Sequence, residues 1–181
     1  MIQMLMLLTT LAFPTADAAE LAGVTMPDSA TVAGQKLVLN GMGLREKFFI
    51  DVYVGGLYLP AKTTDAKSAI DQDVPKRIKM HFIYSEVDAG KLTGAFNDGF
   101  AAVGATESQA SGLAKLNGMM ETVKAGETIT LDYEPGVGTH VSVKGQEKGV
   151  IAGVDFMKAL WGVYLGPSPP TTALKKGMLG G

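Results

Sequence analysis

The chain has 181 residues, enough for one ordinary domain and too few for two comfortable ones. Hydrophobic residues make up 46% and charged residues 19%, so a packed core is within reach and disorder is not indicated. The 16 Lys and Arg nearly balance the 18 Asp and Glu, which leaves no basic surplus for nucleic acid and no polybasic run for electrostatic docking on an anionic membrane. The absence of cysteine excludes disulfides, thiol chemistry and lipid attachment through an N-terminal Cys.

In chain order, Met4 to Phe13 is a short apolar run, followed by Pro14 and then Ala16-Asp17-Ala18. This reads as a secretory signal peptide over residues 1–19, cleaved after Ala18 or Ala19. The run is about half as long as a membrane span requires, so no stable membrane insertion is expected. Residues 20–181 then form a single periplasmic or secreted domain.

Leu37 to Asn40 and Lys47 to Tyr58 read as strands around a turn at Gly41-x-Gly43. On the second strand Phe48, Ile50, Val52 and Val54 alternate with Lys47, Phe49, Asp51 and Tyr53, so both faces are apolar and both should be covered. Gly55-Gly56 reads as a bulge that would shift register and place Tyr53 and Tyr58 on one face. Arg77 to Tyr84, Thr128 to Tyr133 and Thr139 to Lys144 also alternate apolar with polar residues, as half-buried strands do. Glu134 to Gly138 and Lys144 to Gly149 read as the turns after the last two.

Helical spacing follows Asp88, through Leu92, Phe96, Phe100 and Val103, and again follows Thr106, through Ala110, Leu113, Leu116, Met120 and Val123. A third helix is predicted from Asp155 to Tyr164, stopped by Gly166-Pro167, and a short one near Thr172 to Lys176. Strands, helices, strands and a final helix predict an α+β domain: an antiparallel sheet with a layer of helices on one face.

Motifs for common chemistries are missing. His81 and His140 lie on polar strand faces, without a second His, a Cys or a paired carboxylate at ligand spacing, and are expected to be solvated. No G-x-S-x-G elbow, phosphate-binding loop or dinucleotide fingerprint occurs, so neither metal nor other cofactor is expected.

One constellation is more specific. Gly41-Met42-Gly43-Leu44-Arg45 precedes an aromatic-rich strand ending Val52-Tyr53-Val54-Gly55-Gly56-Leu57-Tyr58-Leu59. Lys76-Arg77-Ile78-Lys79-Met80 then precedes the helix near Asp88, Ile129 to Tyr133 follows, and Phe156 to Gly166 leads into prolines. In this order the segments resemble the chalcone isomerase family over about residues 22–180. The resemblance implies an open-faced sandwich and one of two activities. Family enzymes cyclise a chalcone to a flavanone, and non-catalytic members bind fatty acids.

Both branches place an arginine on an oxyanion, a role that would fall to Arg45 with Tyr53 or Tyr58 as hydroxyl partner. A guanidinium stays charged in an apolar pocket and offers forked donors to a planar anion. Arg45 and Tyr53 would lie about 26 Å apart on one straight strand, so they can line one pocket only if the chain reverses or bends between them. Family enzymes carry threonine where this chain has Tyr53, and a Tyr-x-x-Lys-x-x-x-Asn helix where it has Lys91 to Asp98, with Gly94 near the lysine position.

The favoured expectation is therefore an exported binder of a small apolar acid such as a fatty acid. Arg45, Tyr53 and Tyr58 would hold its head, and Phe96 and Phe100, with Leu113, Leu116 and Met120, would line the cavity. The alternatives are an intramolecular lyase acting on a chalcone or similar enone, with Arg45 catalytic, and an interaction protein without a small-molecule site. The sequence does not indicate an oligomeric state.

Overall fold

In the computed structural model, which describes residues 18–181, the alternating segments pair into one antiparallel sheet. Two short strands, β1 (Ala18–Leu21) and β2 (Val24–Pro27), form a separate hairpin. The strands β3 (Ser29–Val32), β4 (Gln35–Lys47) and β5 (Ile50–Leu59) follow. Helix α1 (Ala66–Asp71) leads to β6 (Lys76–Phe82) and the short β7 (Glu86–Val87). Next come α2 (Ala89–Ala102), α3 (Glu107–Gly118) and β8 (Val123–Lys124), which pairs with β7. The hairpin strands β9 (Thr128–Glu134), β10 (Gly138–Val143) and β11 (Gln146–Ile151) precede α4 (Val154–Leu165) and α5 (Thr172–Met178). The sheet order is β11-β10-β9-β6-β5-β4-β3, with every pair antiparallel.

The helices pack on one face, as the sequence predicts. Helix α4 is apolar on nearly every side, from Phe156 to Leu165, and is buried against α1, α2, α3 and α5. The apolar sides of β6, β9 and β10 (Ile78, Met80, Ile129, Leu131, Val141 and Val143) meet this layer. Beyond the core, the opposite face carries polar pairs such as Arg77–Asp132, directly opposed on β6 and β9 and joined by two hydrogen bonds. On β5 the second face is apolar as well. There Val54 and Tyr58 join Leu37 and Leu39 of β4 beneath Val24 and Met26 of the β1–β2 hairpin.

Several expectations need correction. Gly41-x-Gly43 is not a turn: β4 runs straight through it to Lys47, and the chain reverses at Phe48-Phe49. The register shifts lie at Leu39/Gly41 and Arg45/Glu46, not at Gly55-Gly56. Gly55 instead leaves room for Leu174, and Gly56 for Met26. Helix α3 stops at Gly118, and Val123, which fits its periodicity, belongs to β8. The loop expected over Lys144 to Gly149 shrinks to a tight turn at Lys144-Gly145, both at positive φ, because Gln146 onward pairs as β11. The expected signal peptide falls largely outside the described residues. Its last two residues, Ala18 and Ala19, open β1 opposite Pro27 and Met26.

The contact that fixes the helix layer is a bare backbone one. A methyl group added at Gly43 would overlap the Leu174 carbonyl of α5, and one at Gly177 would overlap the Met42 carbonyl. Gly41 faces the Gly177 carbonyl in the same way. Only glycine lets α5 lie this close to β4. At the end of the helix Asn40 Nδ2 donates to the Met178 carbonyl (2.8 Å) and the Thr63 carbonyl (3.0 Å), and its Oδ1 accepts from the Thr63 N–H. Gly43→Ala should therefore lower unfolding free energy by at least about 2 kcal/mol through overpacking. Gly94→Ala on α2, where an added methyl meets nothing, should be neutral or gain up to about 1 kcal/mol of helix propensity. Urea unfolding of the two variants checks the contrast.

His140 departs from the solvated residue expected. Its two ring nitrogens face Glu147 Oε1 (3.1 Å) and Glu134 Oε2 (3.2 Å). Partial burial alone would lower its pKa, but the two carboxylate hydrogen bonds outweigh burial and raise it. A raised folded-state pKa contributes stability below the ordinary histidine range and loses it as pH rises through the folded value. His140→Gln should thus cost about 0.5 kcal/mol at pH 5.5, as befits a surface cluster, and nothing measurable at pH 9. Thermal melts of the variant and parent across that range would show it.

Candidate functional site

Side chains alternate along a strand, so Gly41, Gly43 and Arg45 follow one another on the helix-facing side of β4. Helix α5 occupies the space above the two glycines. It begins just short of Arg45, where Thr171 Oγ1 caps it by accepting from the Leu174 N–H and donates to the Leu44 carbonyl. Arg45 is therefore the first side chain on this face that the helix does not cover. It rises beside Pro169 and Pro170 into a cavity of about 660 Å³ between the sheet and the helices.

Across the hairpin, Tyr53 of β5 is paired directly with Arg45. The reversal at Phe48-Phe49 supplies the chain return that the spacing of these two residues demands. Tyr164, near the end of α4, also lines the cavity, and its hydroxyl donates to Met80 Sδ at 3.3 Å, a weak acceptor. Burial pushes the Tyr53 phenol well up, and the neighbouring Arg45 guanidinium draws it partly back. Burial likewise pushes Tyr164 up, followed by the proximity of Tyr53, with Arg45 opposing. Both phenols thus remain protonated donors through the ordinary pH range, beside a permanent cation.

Among the described residues, the ion pairs are made by Lys67, Arg77, Lys91, Lys124, His140, Lys144 and Lys148, and Arg45 has no carboxylate partner. Beyond the three polar heads the buried wall is apolar. Met80 and Phe82 come from β6, Leu92 and Phe96 from α2, and Val163 from α4. The Phe82 ring packs on Tyr53 at 5.3 Å between centroids and holds the phenol in place. Gly94 also lines the space, with nothing within contact of the side chain it lacks. Volume and lining suit a small apolar ligand with one anionic group.

Of the residues expected at the site, Arg45, Tyr53 and Phe96 line the cavity. Tyr58 does not. Because alternation along β5 is unbroken, it points to the opposite face, where it is buried under the β1–β2 hairpin and donates to the Pro27 carbonyl at 3.0 Å. Phe100 is also core, one turn beyond Phe96 and packed on Phe156 at 5.5 Å. Leu113, Leu116 and Met120 lie outside the cavity wall as well. The residue that sequence reasoning missed is Tyr164. It stands in the apolar run of the last long helix, and only its hydroxyl distinguishes it from core.

The fold has a counterpart among solved structures. The Arabidopsis thaliana fatty-acid binding protein superposes with a TM-score of 0.72 over 90% of this chain and 96% of that one, at 16% sequence identity. No curated protein matches the chain in sequence. Residues 18–180, which hold both the Gly41-x-Gly43-x-Arg45 segment and the cavity, match the chalcone isomerase-like family in sequence, and the chain belongs to that family.

Proposed function

We propose that this protein is an exported binder of a small apolar carboxylate, a fatty acid being the best-fitting class. One observation carries the reading: Arg45, without a carboxylate partner among the described residues, stands with two protonated phenols where the buried wall of the cavity is otherwise apolar, its charged residues lying at the exposed rim. A carboxylate offers acceptors where these groups offer donors, and the apolar wall takes its chain. The fatty-acid binding protein that shares the fold supports the ligand class by analogy.

Native mass spectrometry of gently purified protein should find a bound lipid acid. Titration with a fluorescent fatty acid should show at least about tenfold weaker binding for Arg45→Ala, since a buried charge-assisted hydrogen bond contributes on the order of 1.5–3 kcal/mol. Tyr164→Phe should weaken binding by a smaller factor, with the melting temperature preserved. Repeated purification without lipid, together with no affinity for added fatty acids, would sink the proposal. Export is tested separately: N-terminal sequencing of the mature protein should begin at Ala19 or Glu20, whereas an intact Met1 would refute it.

A further inference from the structure

Six large hydrophobic side chains are exposed among the described residues, and four of them stand together. Phe48 (83% exposed), Phe49 (95%), Ile50 and Tyr84 cluster at the tip and flank of the β4–β5 hairpin, and three of the four also line the cavity. The hairpin extends past its neighbour: the last β5–β6 pair is Tyr53–Phe82, while β4 and β5 continue pairing to Lys47–Ile50. The tip therefore projects from the sheet beside the cavity mouth.

The turn itself is unusual. Phe48 and Phe49 both adopt positive φ (50° and 63°), the two-residue turn normally built from Asn-Gly. Bulky aromatic residues are poor choices for that backbone. Neither packs on the core, so folding accounts for neither.

We propose that this hairpin tip is a peripheral docking wedge for a neutral lipid surface, from which the cavity loads its ligand. The area decides between a lipid and a protein partner. Weighted by their exposures (83%, 95%, 46% and 38%), the four side chains present roughly 400–650 Å², short of the roughly 800 Å² per partner that a stable protein interface buries. A bilayer needs no complementary pocket, and aromatic side chains settle readily at its headgroup boundary. Charge decides the kind of lipid. Arg45, Lys47 and Lys91 are matched by Glu46, Asp51 and Glu86 around the tip, so the contact is apolar rather than electrostatic.

Lys47 Nζ lies 5.8 Å from the Phe48 ring centre, placed to keep its charge among headgroups while the ring enters. Arg45 stands only three residues back from Phe48, about 10 Å along the strand, so docking would bring it to the depth of lipid headgroups and carboxylates. The loading role rests on the binding function proposed above, whereas the docking role does not.

Sedimentation with phosphatidylcholine vesicles tests the docking. The full-length mature protein should bind, and the double variant Phe48→Asn, Phe49→Gly should lose at least tenfold in vesicle affinity. That variant installs the residues the turn favours, so its melting temperature should hold or rise. Phe48 lines the cavity and Phe49 does not, so the single variant Phe49→Gly should weaken vesicle binding while keeping the parent affinity for a water-soluble short-chain acid. Arg45→Ala should do the reverse, keeping vesicle binding while losing the acid. The emission of Phe49→Trp should shift to the blue when vesicles are added, whereas that of the parent, which reports only buried Trp161, should not. Failure of the parent to bind, binding that survives the Asn-Gly change, or a dimer that this change dissolves in place of vesicle binding would each overturn the proposal.

Discussion

The structure turns on the absence of side chains at three places. Gly41, Gly43 and Gly177 let the backbone of α5 rest on the backbone of β4, with no layer of side chains between them. Ordinary helix–sheet packing keeps the two apart by interposed side chains, and a single Cβ here would force that separation. The consequence for the site is positional. With α5 seated this low and capped at Leu44, the next residue on the strand face emerges at the end of the helix, and that residue is Arg45. The motif's glycines and its arginine are thus one device, in which the glycines set where the cavity begins and the arginine occupies its first open position.

This explains why the segment was legible as a family signature but misleading as local structure. G-x-G between two apolar runs has the composition of a turn, and nothing nearby announces a helix more than 120 residues later in the chain. The actual turn, Phe48-Phe49, lacks the Asn-Gly chemistry that would have marked it. The regular strands were read correctly from alternation, because β6, β9 and β10 each have one face on the helix layer and one polar face. β5 reads as apolar and covered on both faces, which holds from Tyr53 onward, whereas Phe48 and Phe49, counted with those faces, form the exposed turn and Ile50 beside them is exposed too. The second cover of β5, the β1–β2 hairpin, is too short for periodicity to reveal.

The site was legible to the extent that it was local. Arg45 and Tyr53 are cross-strand neighbours within one hairpin, so a single stretch of sequence contains both. Tyr58 belonged to the same stretch, and the parity of a strand excluded it: an odd separation along unbroken pleat puts two residues on opposite faces. A supposed bulge at Gly55-Gly56 concealed that parity. Tyr164 lies 111 positions from Tyr53 and meets it only because α4 packs beneath the sheet end. In sequence it is one more apolar residue of a buried helix.

The electrostatics of the three groups favour holding an anion over moving a proton. General acid–base chemistry works best with a group whose pKa lies near ambient pH. Burial drives both phenols the other way, and a guanidinium does not give up its proton. Where the resemblance places a lysine-bearing helix face in the family's enzymes, α2 offers Gly94 and open space. A preorganised set of donors lowers the energy of whatever anion it meets, and turnover requires that the anion be transient. A carboxylate carries its full charge in the ground state, so donors of this kind would stabilise it without favouring a transition state, whereas an anion that forms only during a reaction would gain the whole of that stabilisation.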